Sequence, residues 1–131
     1  MVLFCDGASR GNPGPAAAGA VVLEEGTGKT AAEVSRALGQ ATNNVAEYRA
    51  LLLGLEEALR LGARKVSVFA DSQLLVRQLL GTYRVRHPDM KRLWEEAQVL
   101  LGRFESWRAT HVPREQNKRA DRLANQALDA A

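Results

Sequence analysis

Along the chain, apolar residues fall into short runs and helical stripes whose spacing predicts elements in the order βββαβααβα. Val2-Leu3-Phe4-Cys5 is a compact apolar run ending at Asp6-Gly7. After the turn-rich Gly11-Asn12-Pro13-Gly14-Pro15, a second run covers Ala18-Gly19-Ala20-Val21-Val22-Leu23, so the opening reads strand, loop, strand. Gly26 to Gly28 make the next turn, and Lys29 to Leu38 alternates as a third strand, with Gly39 expected to end it. Thr42-Asn43-Asn44 supplies capping side chains to a helix over Val45 to Leu61, closed by Gly62. Lys65 to Ala70 is a β-branched and aromatic strand, and Asp71-Ser72 can cap a helix from Gln73 to Leu80. Pro88 suits the first turn of a helix over Asp89 to Phe104, Trp107 to Val112 makes a fifth strand, and a helix from Glu115 to Ala130 closes the chain. A meander followed by crossover connections predicts an α/β fold, a five-stranded mixed sheet with strands 1–3 antiparallel and helices flanking it.

Four acids break this pattern. Asp6 continues the row of Val2 and Phe4, and is expected where the first strand and the core stop. Glu47 lies four residues before Leu51 and eight before Leu55, at the head of the buried stripe of its helix. Asp71 ends the fourth strand, where open α/β sheets collect their sites, although a helix cap would also explain it. Asp121 precedes Ala124 by three and Leu128 by seven, again on an apolar face. A buried carboxylate is costly unless it is paired or bound to a metal. Four on core-facing rows therefore point to one site built around hard cations such as magnesium or manganese, and so to metal-assisted chemistry on a phosphate.

Composition narrows the alternatives. With 131 residues and 46% hydrophobic content, the chain suits one domain, residues 1–131. It contains two histidines and one cysteine, too few for a zinc site of nitrogen and sulfur ligands. Cys5 alternates as a core thiol would. No Gly-x-Ser-x-Gly elbow and no phosphate-cradling Gly-x-x-x-x-Gly-Lys-Ser/Thr loop is present. No segment approaches the ~18 apolar residues of a membrane span, and no charged leader precedes the first strand, so a cytoplasmic location without membrane association is expected. The net charge is +3, and the excess lies late: residues 1–83 carry eight basic against eight acidic side chains, residues 84–131 ten against seven. Arg84, Arg86, Lys91 and Arg92 form one basic cluster, and Arg114, Lys118, Arg119 and Arg122 another. They suit a polyanionic partner, or are simply solvated faces.

Together, Asp6-Gly7 with Gly11-Asn12-Pro13-Gly14-Pro15, Thr42-Asn43-Asn44-Val45-Ala46-Glu47, Asp71-Ser72-Gln73 and Asn117-Lys118-Arg119-Ala120-Asp121 resemble type 1 ribonuclease H (ribonuclease HI) over nearly the whole chain. The resemblance implies a ribonuclease H-like fold and an endonuclease that cuts the RNA strand of an RNA–DNA hybrid. It implies two magnesium ions with substrate, with manganese as an alternative, held by Asp6, Glu47, Asp71 and Asp121. Such a pair clamps the scissile phosphate, activates water and leaves 5′-phosphate and 3′-hydroxyl ends. Gly11, Asn12, Asn43, Asn44, Ser72 and Gln73 match substrate-binding positions, where carboxamides read the 2′-hydroxyl that distinguishes RNA from DNA. Thr42 matches a position holding a DNA-strand phosphate.

For the mobile loop before the last helix the resemblance leaves two candidates. His111, ten residues before Asp121, matches the family's histidine by spacing, while Arg114, seven before it, resembles the arginine of members lacking the basic protrusion. That protrusion, an extra basic helix with a tryptophan-rich handle, is absent between Leu80 and Leu93, where only Gly81 to Met90 stand. Trp94 and Trp107 are expected in the core, and no separate N-terminal hybrid-binding domain is expected. A monomer is expected. Two rival functions remain: a non-catalytic nucleic-acid-binding module of the same fold, and a related nuclease with another substrate, such as an exonuclease or a Holliday-junction resolvase.

Overall fold

Turn residues separate the three opening runs closely enough that each folds back on the last, and the computed structural model, which describes all residues 1–131, shows the meander directly. The strands are β1 (Val2–Ser9), β2 (Gly14–Leu23), β3 (Thr30–Ala41), β4 (Lys65–Ala70) and β5 (Ser106–His111). The helices are α1 (Asn43–Arg60), α2 (Gln73–Leu79), α3 (Pro88–Leu101) and α4 (Lys118–Ala130). The sheet runs β3-β2-β1-β4-β5. The first three strands pair antiparallel, and β4 and β5 join β1 in parallel through helical crossovers. The expected α/β architecture is the one observed.

Several boundaries differ for physical reasons. β1 runs on past Asp6 because β2 still pairs with it as far as Ser9, opposite Ala16, whereas β4 lets go at Cys5, opposite Ala70. Asp6 therefore stands where the neighbouring strand leaves, not where its own ends. Gly39 does not terminate β3. With φ of +74° it accommodates a bulge, in which Ala16 faces Gly39 while Ala17 faces Ala37, and pairing resumes to Ala41. Asn43 and Asn44 lie inside the first turn of α1, and Thr42 is its cap, its Oγ1 accepting from the Val45 amide at 3.2 Å. α4 starts at Lys118 instead of Glu115, because Arg114–Gln116 form a short 3-10 turn first.

Both faces of the sheet are covered. Leu3 and Cys5, fully buried, look towards α1 together with Ala20, Val22, Val68 and Ala70, and this is the main core. The row of Val2, Phe4 and Asp6 lies on the opposite face, where Phe4 is only half-buried and stacks on Phe69 with ring centroids 5.1 Å apart. The deepest row is thus the other one, and Asp6 is buried because α4 crosses above it. Trp94 and Trp107 pack at the core's edge. No helix is long and apolar enough to cross a membrane.

Candidate active site

Two glycines on adjacent strands bring the acid-bearing helices to Asp6. A Cβ on Gly7 would lie 2.2 Å from the carbonyl carbon of Ala46 and 2.3 Å from the amide nitrogen of Glu47, so only glycine lets α1 rest on β1 there. Gly19, opposite Asp6 in β2, does the same on the other face: its Cβ would lie 2.1 Å from the Ala120 carbonyl oxygen of α4. Glu47 and Asp121 follow directly from these contacts. Asp71 arrives from the end of β4.

The carboxylates converge. Ligand oxygens of Asp6, Glu47 and Asp71 lie within 4.8 Å of one another. Asp121, in the first turn of α4, lines the same cleft and contacts Asp6, outside that tight triad. Burial, with the charges of Glu47 and Asp71 added, holds the Asp6 carboxyl far above the usual range. Burial raises Glu47 as well, against the opposing pull of its hydrogen bond with Asp6, the Gly7 amide and the Arg114 guanidinium. Both carboxyls are therefore harder to ionise in the metal-free fold than in water.

An oxygen-only donor set of this kind fits a hard divalent cation. One further observation supports the fit: Glu47 Oε2 is buried and no donor of the chain reaches it. Such an orphaned acceptor is expensive unless a ligand completes it.

The cleft has a volume of about 430 Å³ and also exposes Asn43, Asn44, Ser72 and Arg114. Asn12 Oδ1 accepts from the Asn43 amide at 3.1 Å, and Asn43 Oδ1 accepts from the Ser9 amide at 3.0 Å, so both carboxamides tie the β1–β2 turn to the head of α1. Gly11, in that turn, has φ of +129°. Ser72 caps α2 by accepting from the Leu75 amide at 3.2 Å, and Gln73 is exposed in the turn it starts. Of the two loop candidates, the 3-10 turn lifts Arg114 to the cleft, its Nε 3.6 Å from Asp71 Oδ2. His111 is the exposed last residue of β5 and does not line the cleft.

Two residues escaped the sequence reading as parts of the site. Asn117 is 1% exposed, and its Nδ2 donates to the Cys5 carbonyl at 2.9 Å and to Asp71 Oδ1 at 3.0 Å. Asn125 Nδ2 donates to the carbonyl of Asp121 at 3.0 Å and to its Oδ1 at 3.2 Å. The four-residue spacing of Asn117, Asp121 and Asn125 was the available signal, since it puts all three on one helix face.

Comparison with known proteins places this geometry. A family model described as reverse transcriptase-like matches residues 4–127. RNase H1 from the halophilic archaeon Halobacterium salinarum superimposes with a TM-score of 0.96 at 48% identity, covering 99% of this chain and 98% of that one. The chain belongs to the ribonuclease H family. Another member, LC11-RNase H1, solved in complex with an RNA/DNA hybrid, superimposes with a TM-score of 0.93 at 40% identity, covering 98% of this chain and 96% of that one. The bifunctional protein Rv2228c of Mycobacterium tuberculosis is 50% identical over 131 residues, and there the ribonuclease H-like match spans 100% of this chain but 36% of the relative.

Proposed function

We propose that the chain is an endonuclease that hydrolyses the RNA strand of RNA–DNA hybrids, with magnesium as its resident ion and manganese as a substitute. The observation carrying this reading is the buried, orphaned Glu47 Oε2 within the triad of Asp6, Glu47 and Asp71. These three with Asp121 would hold two ions, which would supply an activated water and charge stabilisation at the phosphate. The reading includes a monomer working in the cytoplasm, in primer or R-loop removal.

The chain's own residues account for recognition. Because the oxygens of Asn12 and Asn43 are committed to backbone amides, their NH₂ groups remain to donate to acceptors such as a 2′-hydroxyl oxygen. Asn44, Ser72 and Gln73 extend that polar row along the heads of α1 and α2, and Thr42, with Gly11 leaving backbone open to approach, would face a phosphate. Arg114, lightly held by Asp71, is free to turn towards a phosphate oxygen.

The short α2–α3 connection takes over the grip on the DNA strand. With α2 and α3 it borders an open groove of about 420 Å³ lined by Tyr83, Arg84, Lys91 and Trp94. Trp94 Nε1 donates to the Gln78 carbonyl at 3.0 Å, which fixes the wall. Replacing Arg84 and Lys91 together by alanine is expected to weaken hybrid binding. The slope of log Kd against log salt should flatten by about two, roughly one per lost phosphate contact, with kcat little changed. An unchanged slope would place the DNA strand elsewhere.

The deciding experiment is cleavage of a defined hybrid, a duplex RNA and a branched DNA with magnesium or manganese. Hybrid-specific cutting is expected. Binding without cutting would favour a non-catalytic module, and preference for another substrate a related nuclease.

A further inference from the structure

Asn117 stands at the start of α4, where asparagine ordinarily caps the helix by accepting from an amide two or three residues on. Here its side chain makes no such bond, although its backbone carbonyl accepts from the Asp121 amide at 3.1 Å. The carboxamide turns inward instead, is 1% exposed, and spans two oxygens that belong to different strands: the Cys5 carbonyl of β1 and Oδ1 of Asp71 after β4. Those two groups stand at the point where the pairing of β1 with β4 ends. The amide orientation is set by these partners, since the reverse would place oxygen against two oxygens.

The consequence is specific to one carboxylate. Asp71 has Oδ1 tied to Asn117 and Oδ2 facing Arg114 at 3.6 Å. The guanidinium is largely exposed and can leave. The buried carboxamide cannot, so it fixes the rotation of the Asp71 carboxylate about its own bond and with it the direction in which the oxygens present lone pairs to an ion. Only a neutral group with two hydrogens on one atom bridges both oxygens without adding charge beside the triad.

We infer that Asn117 is a positioning residue that aims Asp71 at the divalent-ion site by clamping its carboxylate to the backbone of β1. Hydrogen bonds behind metal ligands commonly govern affinity in this way. The inference rests on the metal-dependent reading above, so its test separates the two. Mn²⁺ is titrated without nucleic acid into the parent, Asn117→Leu, Asp71→Asn and the double variant, with free Mn²⁺ followed by electron paramagnetic resonance.

Asn117→Leu keeps the volume and removes both donors. Its Mn²⁺ affinity is expected to fall ~10-fold or more, whereas adding it to Asp71→Asn should cost nothing further. In hybrid cleavage the single variant should lose kcat by a similar factor with KM within about twofold. Parent-like Mn²⁺ binding by Asn117→Leu, or additive losses in the double variant, would overturn the role. If circular dichroism shows that the leucine variant does not fold, Asn117→Ala in the same titration decides between the same outcomes. A parent that binds Mn²⁺ but cuts no hybrid would sink the proposed activity and leave the Mn²⁺ comparison intact.

Discussion

Asp6→Asn is expected to abolish hybrid cleavage while making the metal-free chain harder to melt. The loss follows from removing a proposed ion ligand: electrostatic stabilisation by bound ions is worth several kcal/mol at the transition state, and about 4 kcal/mol corresponds to roughly a 10³-fold fall in kcat. The gain follows from the same carboxyl's position. It is 6% exposed among Glu47, Asp71 and Asp121, and folding raises its proton affinity above that of the unfolded chain. A carboxyl whose folded pKa lies above its unfolded value makes the folded state bind more protons. Its contribution to stability therefore declines as pH rises from the ordinary carboxylate range towards the raised folded value.

Asparagine has no charge to bury and can still donate to Glu47. In EDTA at pH 8 the variant's Tm should exceed the parent's by about 4 °C, the equivalent of about 1 kcal/mol in a chain of this size. The gap should widen between pH 5 and pH 9. Added Mg²⁺ should raise the parent's Tm by linkage and leave the variant's almost where it is. Scanning calorimetry with and without EDTA reads all of this. A variant that melts below the parent at pH 8 without metal would contradict the strained-acid picture, and retained turnover would contradict the role of Asp6.

Gly7→Ala is the second large effect, and it acts on stability and chemistry together. The new methyl would meet Ala46 and Glu47 backbone at 2.2 to 2.4 Å, with no flexible side chain to yield. Either β1 or α1 must shift. Overpacking against backbone on this scale costs about 3 kcal/mol, which urea unfolding would register as a lower midpoint at unchanged m. Displacing α1 also carries Glu47 away from Asp6, and a misplacement of about 1 Å at a reacting centre can cost ~10²-fold in rate. Gly54→Ala is the informative contrast, because the three atoms nearest its methyl belong to the Leu3 side chain and not to backbone, so the loss of stability should not carry Glu47 with it. An unchanged midpoint and kcat for Gly7→Ala would show that α1 does not depend on that contact.

Why some of this could be seen in advance and some could not comes down to range. The order of elements follows from local periodicity, whereas Asp6, Glu47, Asp71 and Asp121 each have an ordinary explanation within their own element and pointed to one site only when taken together. The end of β1 was not, since Ser9 is held by Ala16 and not by anything in its own run. The same holds for Gly39, whose bulge depends on the register with β2. The clearance role of Gly7 and Gly19 requires helices up to about a hundred residues away. Asn117 looks like any helix-starting asparagine until Asp71 is placed beside it. Between His111 and Arg114 spacing alone could not choose. The 3-10 turn, which no periodicity announces, is what brings Arg114 to the cleft.

The two acid-bearing helices are anchored unequally. α1 is sunk into the main core through Leu51, Leu52 and Leu55, while α4 lies on a face of small side chains, with Ala17, Ala127 and Leu128 forming a separate minor cluster. Alanine buries little apolar area, so α4 is the cheaper element to release. On heating, then, the molecule should be disarmed before it is undone: the last carboxylate would drift from a triad that the rest of the sheet still holds, and cooling would rearm it without a full refolding.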